Sequence, residues 1–200
     1  MTTLNPPKVM GHRGAPTLAP ENTIEGFKAA FEAGGLWTET DVCLLGDGTP
    51  VIHHDSTLDR CTDRSGSIAQ LTKADLGGVN ANRQYPDRPF HAIPTLEQTL
   101  VTLGAWGMGL NLELKLHDHV KPVELVEAVL PILANTPFPA DQMLLSSFDF
   151  DVLRLVRQQD ENAALAVIAE NATDEVLDLA AEIGAQSLNL WWETTSYADV

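Results

Sequence analysis

Short runs of apolar and β-branched residues alternate along the chain with longer segments of helical periodicity. This alternation is typical of βαβ units built around a parallel sheet. A two-residue turn signal, Asp47-Gly48, precedes a short returning strand at 50–54. The predicted core strands cover 8–12, 36–44, 109–116, 142–147, 163–168 and 186–190. The predicted helices begin near 22 and then cover 95–103, 122–133, 149–159 and 173–183, and a further unit starts near Ser196.

The first helix carries its own start and stop signals. Asn22 is predicted to cap it, with Glu25 three positions later as in a capping box. Two consecutive glycines at 34 and 35 are expected to end the helix. The stripe expected to be buried consists of Ile24, Phe27 and Phe31.

Residues 55–94 break the alternation. They are rich in Asp, Arg, Gly, Asn and Pro and show no sustained periodicity. We interpret them as an irregular insertion on one face of a single domain over residues 1–200.

Six β/α units fit either a doubly wound sheet or an unfinished (β/α)8 barrel, and periodicity does not separate the two. Polar residues gather at the carboxyl ends of several predicted strands, where barrel enzymes place their catalytic groups. This placement favours the barrel.

Composition restricts the partners. Twelve basic residues against 28 acidic ones give a formal net charge of −16, which argues against nucleic acid and anionic membranes. A phosphate-bearing substrate would need local positive charge from a bound cation and a few placed Arg or Lys residues. No apolar run reaches the ~20 residues of a membrane span, and no signal peptide is recognisable, so a cytoplasmic location is expected. The two cysteines, Cys43 and Cys61, are expected to be free thiols.

Charged pairs at i and i+2 mark two of the strands. Glu39 and Asp41 share one face of the second strand, and Glu113 and Lys115 share one face of the strand at 109–116. Burying such charges is costly unless they are paired or coordinate a metal. Three converging carboxylates suit Mg²⁺ or Ca²⁺. The alternatives are an exposed edge strand for the first pair and a structural ion pair for the second.

Histidines end two further strands. His12-Arg13 closes the first strand, and His53-His54 closes the returning strand, where only one of the two rings can face inward. A surface turn would explain either motif alone. Polar clusters at four successive strand ends nevertheless favour a common site.

These residues belong to a longer series of motifs. The series resembles that of the glycerophosphodiester phosphodiesterase family, in particular its bacterial, cytoplasmic type, over about residues 8–192. The motifs are Gly11-His12-Arg13-Gly14, Pro20-Glu21-Asn22-Thr23, Glu39-Thr40-Asp41-Val42, Asp47-Gly48, His54-Asp55 with Leu58 and Arg60, Glu113-Leu114-Lys115, and Ser146-Ser147-Phe148.

The resemblance implies a TIM barrel and metal-dependent hydrolysis of glycerophosphodiesters to glycerol 3-phosphate and an alcohol. By matching position, the acid/base pair is His12 and His54. Arg13 and Lys115 would bind the phosphate of a small-molecule substrate. The implied ligands of a divalent cation, Mg²⁺ or Ca²⁺, are Glu39, Asp41 and Glu113.

Several alternatives stay open at this stage. A related phospholipase D or phospholipase C-like enzyme would act on lipids, and a truncated, inactive binding form would lack catalysis. The nucleophile is either water or a neighbouring glycerol hydroxyl that forms a cyclic phosphate. Because the family has two further strands, we expect the last two strands of the barrel to be missing from these 200 residues.

Overall fold

A computed structural model of the chain describes residues 4, 6–193 and 195. The predicted unit at Ser196 lies outside the described residues. The α-helices are α1 (Ile24–Glu32), α2 (Leu96–Trp106), α3 (Pro122–Asn135), α4 (Phe150–Gln159) and α5 (Asp174–Ile183). The strands are β1 (Gly11–His12), β2 (Trp37–Leu44), β3 (Pro50–Ile52), β4 (Gly109–Leu114), β5 (Met143–Ser147), β6 (Leu165–Ala169) and β7 (Ser187–Leu190).

All seven strands form one sheet in the order β1-β2-β4-β5-β6-β7, with β3 paired antiparallel to β2. The other six strands are parallel to their neighbours and follow one another in chain order. A doubly wound sheet would reverse its strand order at a switch point, whereas a barrel adds each strand beside the last. The barrel architecture is therefore confirmed, as an open arc of six parallel strands in the described part of the chain.

The two faces of the sheet differ in chemistry. The face toward the helices is largely apolar, and Leu110, Leu112 and Leu165 on it are fully buried against helix residues such as Val126 and Val152. The opposite face carries small or polar side chains above one apolar cluster of Trp37, Leu144, Ala164 and Ala166. Alternation along each strand places the polar side chains of that face inside the arc.

Trp37 makes Gly109 necessary at the start of β4. A Cβ atom on Gly109 would lie 2.2 Å from the indole of Trp37, and the two residues are register partners in the β2–β4 ladder. The bulky indole thus fills the floor of the arc only because its neighbour has no side chain.

Helix α1 begins one residue later than predicted. Its N-cap is Thr23, whose hydroxyl accepts a hydrogen bond from Gly26 N at 3.0 Å. Asn22 has φ of 53° and does not cap the helix, because its side-chain amide points into the sheet toward Asp41. Phe27 is buried as predicted, but Phe31 is 42% exposed and stacks on Trp106.

Residues 55–94 contain two short 3-10 helices, Ile68–Gln70 and Lys73–Gly78, and otherwise irregular backbone. Their apolar side chains form a second core with Cys43, Leu45 and Val51 of the β2–β3 hairpin. Cys43 and Cys61 are buried free thiols, as expected. Within the part of the chain that the structure describes, no helix has both the length and the apolar character needed to cross a membrane.

Candidate active site

Three carboxylates meet on the inner face of β2 and β4, at the level where β1 and β4 end. Asp41 and Glu113 are partners in the parallel ladder, and Glu39 lies two residues before Asp41 on the same face. One oxygen atom from each of the three lies within 4.8 Å of the others. The i, i+2 spacing and the strand register therefore bring the three carboxylates together, as predicted.

Burial makes this cluster electrostatically unfavourable without a counter-charge. Asp41 is fully buried and Glu113 is 7% exposed. Burial, followed by repulsion from the neighbouring carboxylates, raises the pKa of Glu39 well above its usual value. Burial and the charge of Asp41 likewise raise the pKa of Glu113. Since hard oxygen ligands of this kind are what Mg²⁺ and Ca²⁺ prefer, the three residues fit a divalent cation.

The two oxygens of Asp41 are held differently. Oδ2 accepts a hydrogen bond from Asn22 Nδ2 at 2.9 Å and lies 3.4 Å from Arg13 Nε. Oδ1 is buried, accepts no hydrogen bond and lies 3.6 Å from Lys115 Nζ. Thr40 in turn donates to Asn22 Oδ1 at 2.6 Å. Asn22 therefore orients a candidate metal ligand, a role that sequence reasoning missed by assigning Asn22 to the helix cap.

Lys115 connects the carboxylates to His54. Its Nζ lies 3.0 Å from Glu113 Oε1 and 2.8 Å from His54 Nε2. Because an ammonium group can only donate, a neutral His54 must accept through Nε2 and carry its proton on Nδ1. That nitrogen faces Asp55 Oδ1 at 2.7 Å. The two contacts select one tautomer with its Nε2 lone pair directed into the site.

His12 and Arg13 reach the cluster from β1. His12 Nε2 lies 3.7 Å from Glu39 Oε2, and the imidazole is exposed at the mouth of the site. Partial desolvation, followed by the Arg13 guanidinium, lowers the pKa of His12. Arg13 adopts φ of 58°, a conformation that costs a non-glycine residue on the order of 1 kcal/mol. Its backbone N–H donates to Glu39 Oε2 at 3.2 Å, which ties the turn to the cluster.

The structure thus brings together all seven residues singled out in the sequence. His53, next to His54, points away: it is 4% exposed, and its Nε2 lies 3.0 Å from the carbonyl oxygen of Thr57. The returning strand was predicted over 50–54 and ends at Ile52, so both histidines follow it; the prediction that only one of the two rings faces the site is confirmed.

A group of ion pairs borders this site, and the sequence analysis did not assign these ion pairs to the site. Glu21 accepts hydrogen bonds from Arg13 and Arg60, and Arg60 also donates to Asp55. Glu21 and Arg60 are 39 positions apart, so no local spacing relates them. Glu21, Asp55 and Arg60 all occur in the motifs quoted above, and this was the signal in the sequence that could have assigned them to the site.

A cavity of about 230 Å³ opens beside the carboxylates. Glu113 and Lys115 line one side of it, and Ser147, Phe148 and Asp149 line the other. A larger cavity of about 490 Å³, lined by residues such as Leu130, Phe138 and Met143, lies at the opposite end of the strands. The smaller cavity is the one next to the candidate chemistry.

Comparisons with known proteins agree on one family. The model of the glycerophosphoryl diester phosphodiesterase family matches residues 12–194. A phosphodiesterase from Oleispira antarctica, solved in complex with the product sn-glycerol-3-phosphate, is 31% identical with a TM-score of 0.89, and the match covers 95% of this chain and 77% of that one.

Two relatives extend the comparison. A glycerophosphodiester phosphodiesterase from Caldanaerobacter subterraneus is 29% identical over 182 residues, which cover 90% of this chain and 74% of that protein. Glycerophosphodiester phosphodiesterase 1 from Bos taurus is 30% identical over 162 residues, covering 80% of this chain and 48% of that protein. The chain thus spans about half the length of the mammalian relatives that it matches.

Proposed function

Because the chain belongs to the glycerophosphoryl diester phosphodiesterase family, we propose that it hydrolyses glycerophosphodiesters to glycerol 3-phosphate and an alcohol with the help of a divalent cation. The observation that carries this proposal is the convergence of three carboxylates, a lysine, an arginine and two histidines at the carboxyl ends of neighbouring strands. Barrel enzymes carry their chemistry at this end.

Glu39, Asp41 and Glu113 would hold the cation. The raised pKa of Glu39 and of Glu113 supports this assignment. Burial and the repulsion between neighbouring carboxylates disfavour their charged forms, and a bound cation would offset that repulsion. When bound, Mg²⁺ or Ca²⁺ supplies Lewis acidity to a phosphoryl oxygen.

Arg13 and Lys115 would bind the phosphate. Arg13 offers a planar set of donors for two phosphate oxygens, and Lys115 adds a compact charge. Both are held near the carboxylates, Arg13 by Glu21 at 3.1 Å and Lys115 by Glu113 at 3.0 Å. They provide local positive charge in a chain whose formal net charge is −16.

The two histidines would move the protons. Once Lys115 turns to the phosphate, the Nε2 lone pair of His54 is free to take the proton of the attacking hydroxyl as the new O–P bond forms. His12, exposed at the mouth of the site, would give its proton to the leaving oxygen as the old P–O bond breaks. Because its pKa is lowered in the free protein, this role requires that the anionic substrate favour the protonated ring. Each transfer contributes on the order of 10²–10⁴-fold. The attacking O–H group belongs either to water or to the neighbouring glycerol hydroxyl of the substrate, which would form a cyclic phosphate.

The experiment is release of glycerol 3-phosphate from glycerophosphocholine, measured with EDTA and again after Mg²⁺ or Ca²⁺ is restored. We expect release that EDTA abolishes and either cation recovers. Lysophosphatidylcholine, assayed in parallel, distinguishes a lipid-directed phospholipase D. No release from glycerophosphocholine, or release that EDTA does not affect, would contradict the proposal.

A further inference from the structure

We propose that Arg60, a residue of the irregular segment 55–94, is a positioning residue. It holds in place both the candidate phosphate ligand Arg13 and the candidate base His54. This inference rests on the proposed function of the same site. Among the described residues, Arg60 makes no hydrogen bond or ion pair to the carboxylate cluster of Glu39, Asp41 and Glu113. It acts through two carboxylates, Glu21 and Asp55, one on each side.

Arg60 makes four hydrogen bonds to these two carboxylates. Its Nη1 and Nη2 donate to Glu21 Oε2 and Oε1 at 2.7 and 2.8 Å. Its Nε and Nη2 donate to Asp55 Oδ2 and Oδ1 at 2.7 and 3.0 Å. The guanidinium therefore joins the loop before α1 to the loop after β3, with a paired contact to each.

On one side the contact continues to Arg13. Glu21 Oε1 accepts from Arg13 Nη1 at 3.1 Å as well as from Arg60, so one oxygen is shared by two guanidinium groups. Burial alone would raise the pKa of Glu21, but the hydrogen bonds from Arg60 and Arg13 lower it to about 2. Glu21 is thus held as an anion between two cations, which limits where the Arg13 side chain can lie.

On the other side the contact continues to His54. Asp55 Oδ1 lies 2.7 Å from His54 Nδ1 and also accepts from Arg60 Nη2. Arg60 donates to both oxygens of the Asp55 carboxylate, and Asp55 accepts a hydrogen bond from the proton on His54 Nδ1. Arg60 therefore supports, from the Nδ1 side of the ring, the tautomer that the Lys115 contact selects from the Nε2 side.

The shape of the side chain matters for this arrangement. A guanidinium presents a rigid fork that matches two carboxylates at once, whereas a lysine ammonium is a single point of charge on a flexible stem. The Arg60 side chain is 40% exposed, but its partner Glu21 is only 9% exposed. Loss of Arg60 leaves that carboxylate with one cation fewer, so thermal unfolding is measured beside kcat to separate a change in site geometry from a loss of stability.

The first test compares R60A and R60K with R64A. Arg64 is a matched control from the same segment: its side chain is 59% exposed, and the nearest carboxylate, Asp63, is 4.0 Å away. We expect kcat on glycerophosphocholine to fall about 10²-fold in R60A, since small displacements of reacting groups cost that much, with KM also raised. R60K should lie in between, R64A should match wild type, and added guanidinium ion should partly restore R60A.

A second readout does not depend on activity. Long-range ¹H–¹⁵N spectra of the histidine rings report the tautomer of His54. We expect wild-type protein and R64A to show the proton on Nδ1. R60A and D55N should show an increased share of the other tautomer, because only the Lys115 contact then still favours the proton on Nδ1. Because D55N and R60A both disturb the contact between Asp55 and His54, their combined effect on the His54 tautomer should be smaller than the product of the two separate effects.

The outcomes separate the two proposals. If wild-type protein releases no glycerol 3-phosphate, the proposed function fails, while the His54 spectra still decide whether Arg60 positions the ring. If wild type is active but R60A matches R64A in kcat and in the His54 spectrum, the role of Arg60 is overturned. Should R60A lose its cooperative thermal transition, R60K and D55N carry the same comparison.

Discussion

Lys115 Nζ lies 2.8 Å from His54 Nε2, although the two residues are 61 positions apart in the chain. The contact joins the end of β4 to the segment after β3 across the mouth of the arc. It also identifies the accepting nitrogen of His54, because lysine has no acceptor to offer. The acid/base assignment proposed above depends on this contact.

Replacing Glu113 by Gln tests the cation site. The amide removes one hard ligand, so we expect both activity and its dependence on Mg²⁺ or Ca²⁺ to be lost. Thermal unfolding measured with and without the cation should show a cation-induced rise in wild type that is absent from E113Q. Without cation, E113Q should be at least as stable as wild type, since the charge of Asp41 no longer opposes a buried carboxylate. Near-normal turnover in E113Q would remove Glu113 from the site.

Replacing His12 or His54 by Ala should remove most of the activity, and the wild-type rate should show a bell-shaped dependence on pH. The double variant should lose far less than the product of the two single losses, because both groups serve one reaction. H53A is the matched control, since the His53 ring points away from the site and contacts Thr57. Equal losses in H53A and H54A would mean that the two rings have been assigned to the wrong faces.

Asn22 provides a test of how Asp41 is held. N22A removes a donor to Asp41 and an acceptor for Thr40, and it places Ala at a φ of 53°. We expect a loss of about 1–3 kcal/mol in the free energy of unfolding, together with reduced affinity for the cation. N22G relieves the backbone strain but restores neither contact, so it separates the two causes. An N22A variant with unchanged cation affinity would argue against the orienting role.

Glu21 should govern part of the acid stability of the fold. Its folded pKa is lowered to about 2 from an ordinary value of 4.5, so between these values the unfolded chain binds more protons than the folded one. The stability from Glu21 is therefore complete above about pH 4.5 and is lost as the pH falls through about 2. E21Q should be less stable at neutral pH and show a shallower decline in acid, as measured by urea unfolding. Parallel pH curves for E21Q and wild type would contradict this.

Local patterns in the sequence determined the elements and the carboxylate cluster. Alternating periodicity identified each strand and helix to within a few residues, apart from β1, which was predicted to cover 8–12 and consists of Gly11–His12. Glu39 and Asp41 fall on one face because side chains alternate along any strand. Glu113 joins them because consecutive β/α units bring neighbouring parallel strands into register. These relationships depend only on backbone geometry and chain order, so the sequence could specify them.

Only the tertiary structure decided which partner each loop side chain meets. Asn22 looks like a helix cap in the sequence, yet its amide binds Asp41 while Thr23 caps α1. Arg60 meets Glu21 across 39 positions that include α1, β2 and β3, and no periodicity encodes that distance. Loop conformations are selected by the sum of many long-range contacts and by backbone strain accepted at a few residues. For that reason the candidate ligands were predictable from sequence, whereas the side chains that orient them were not.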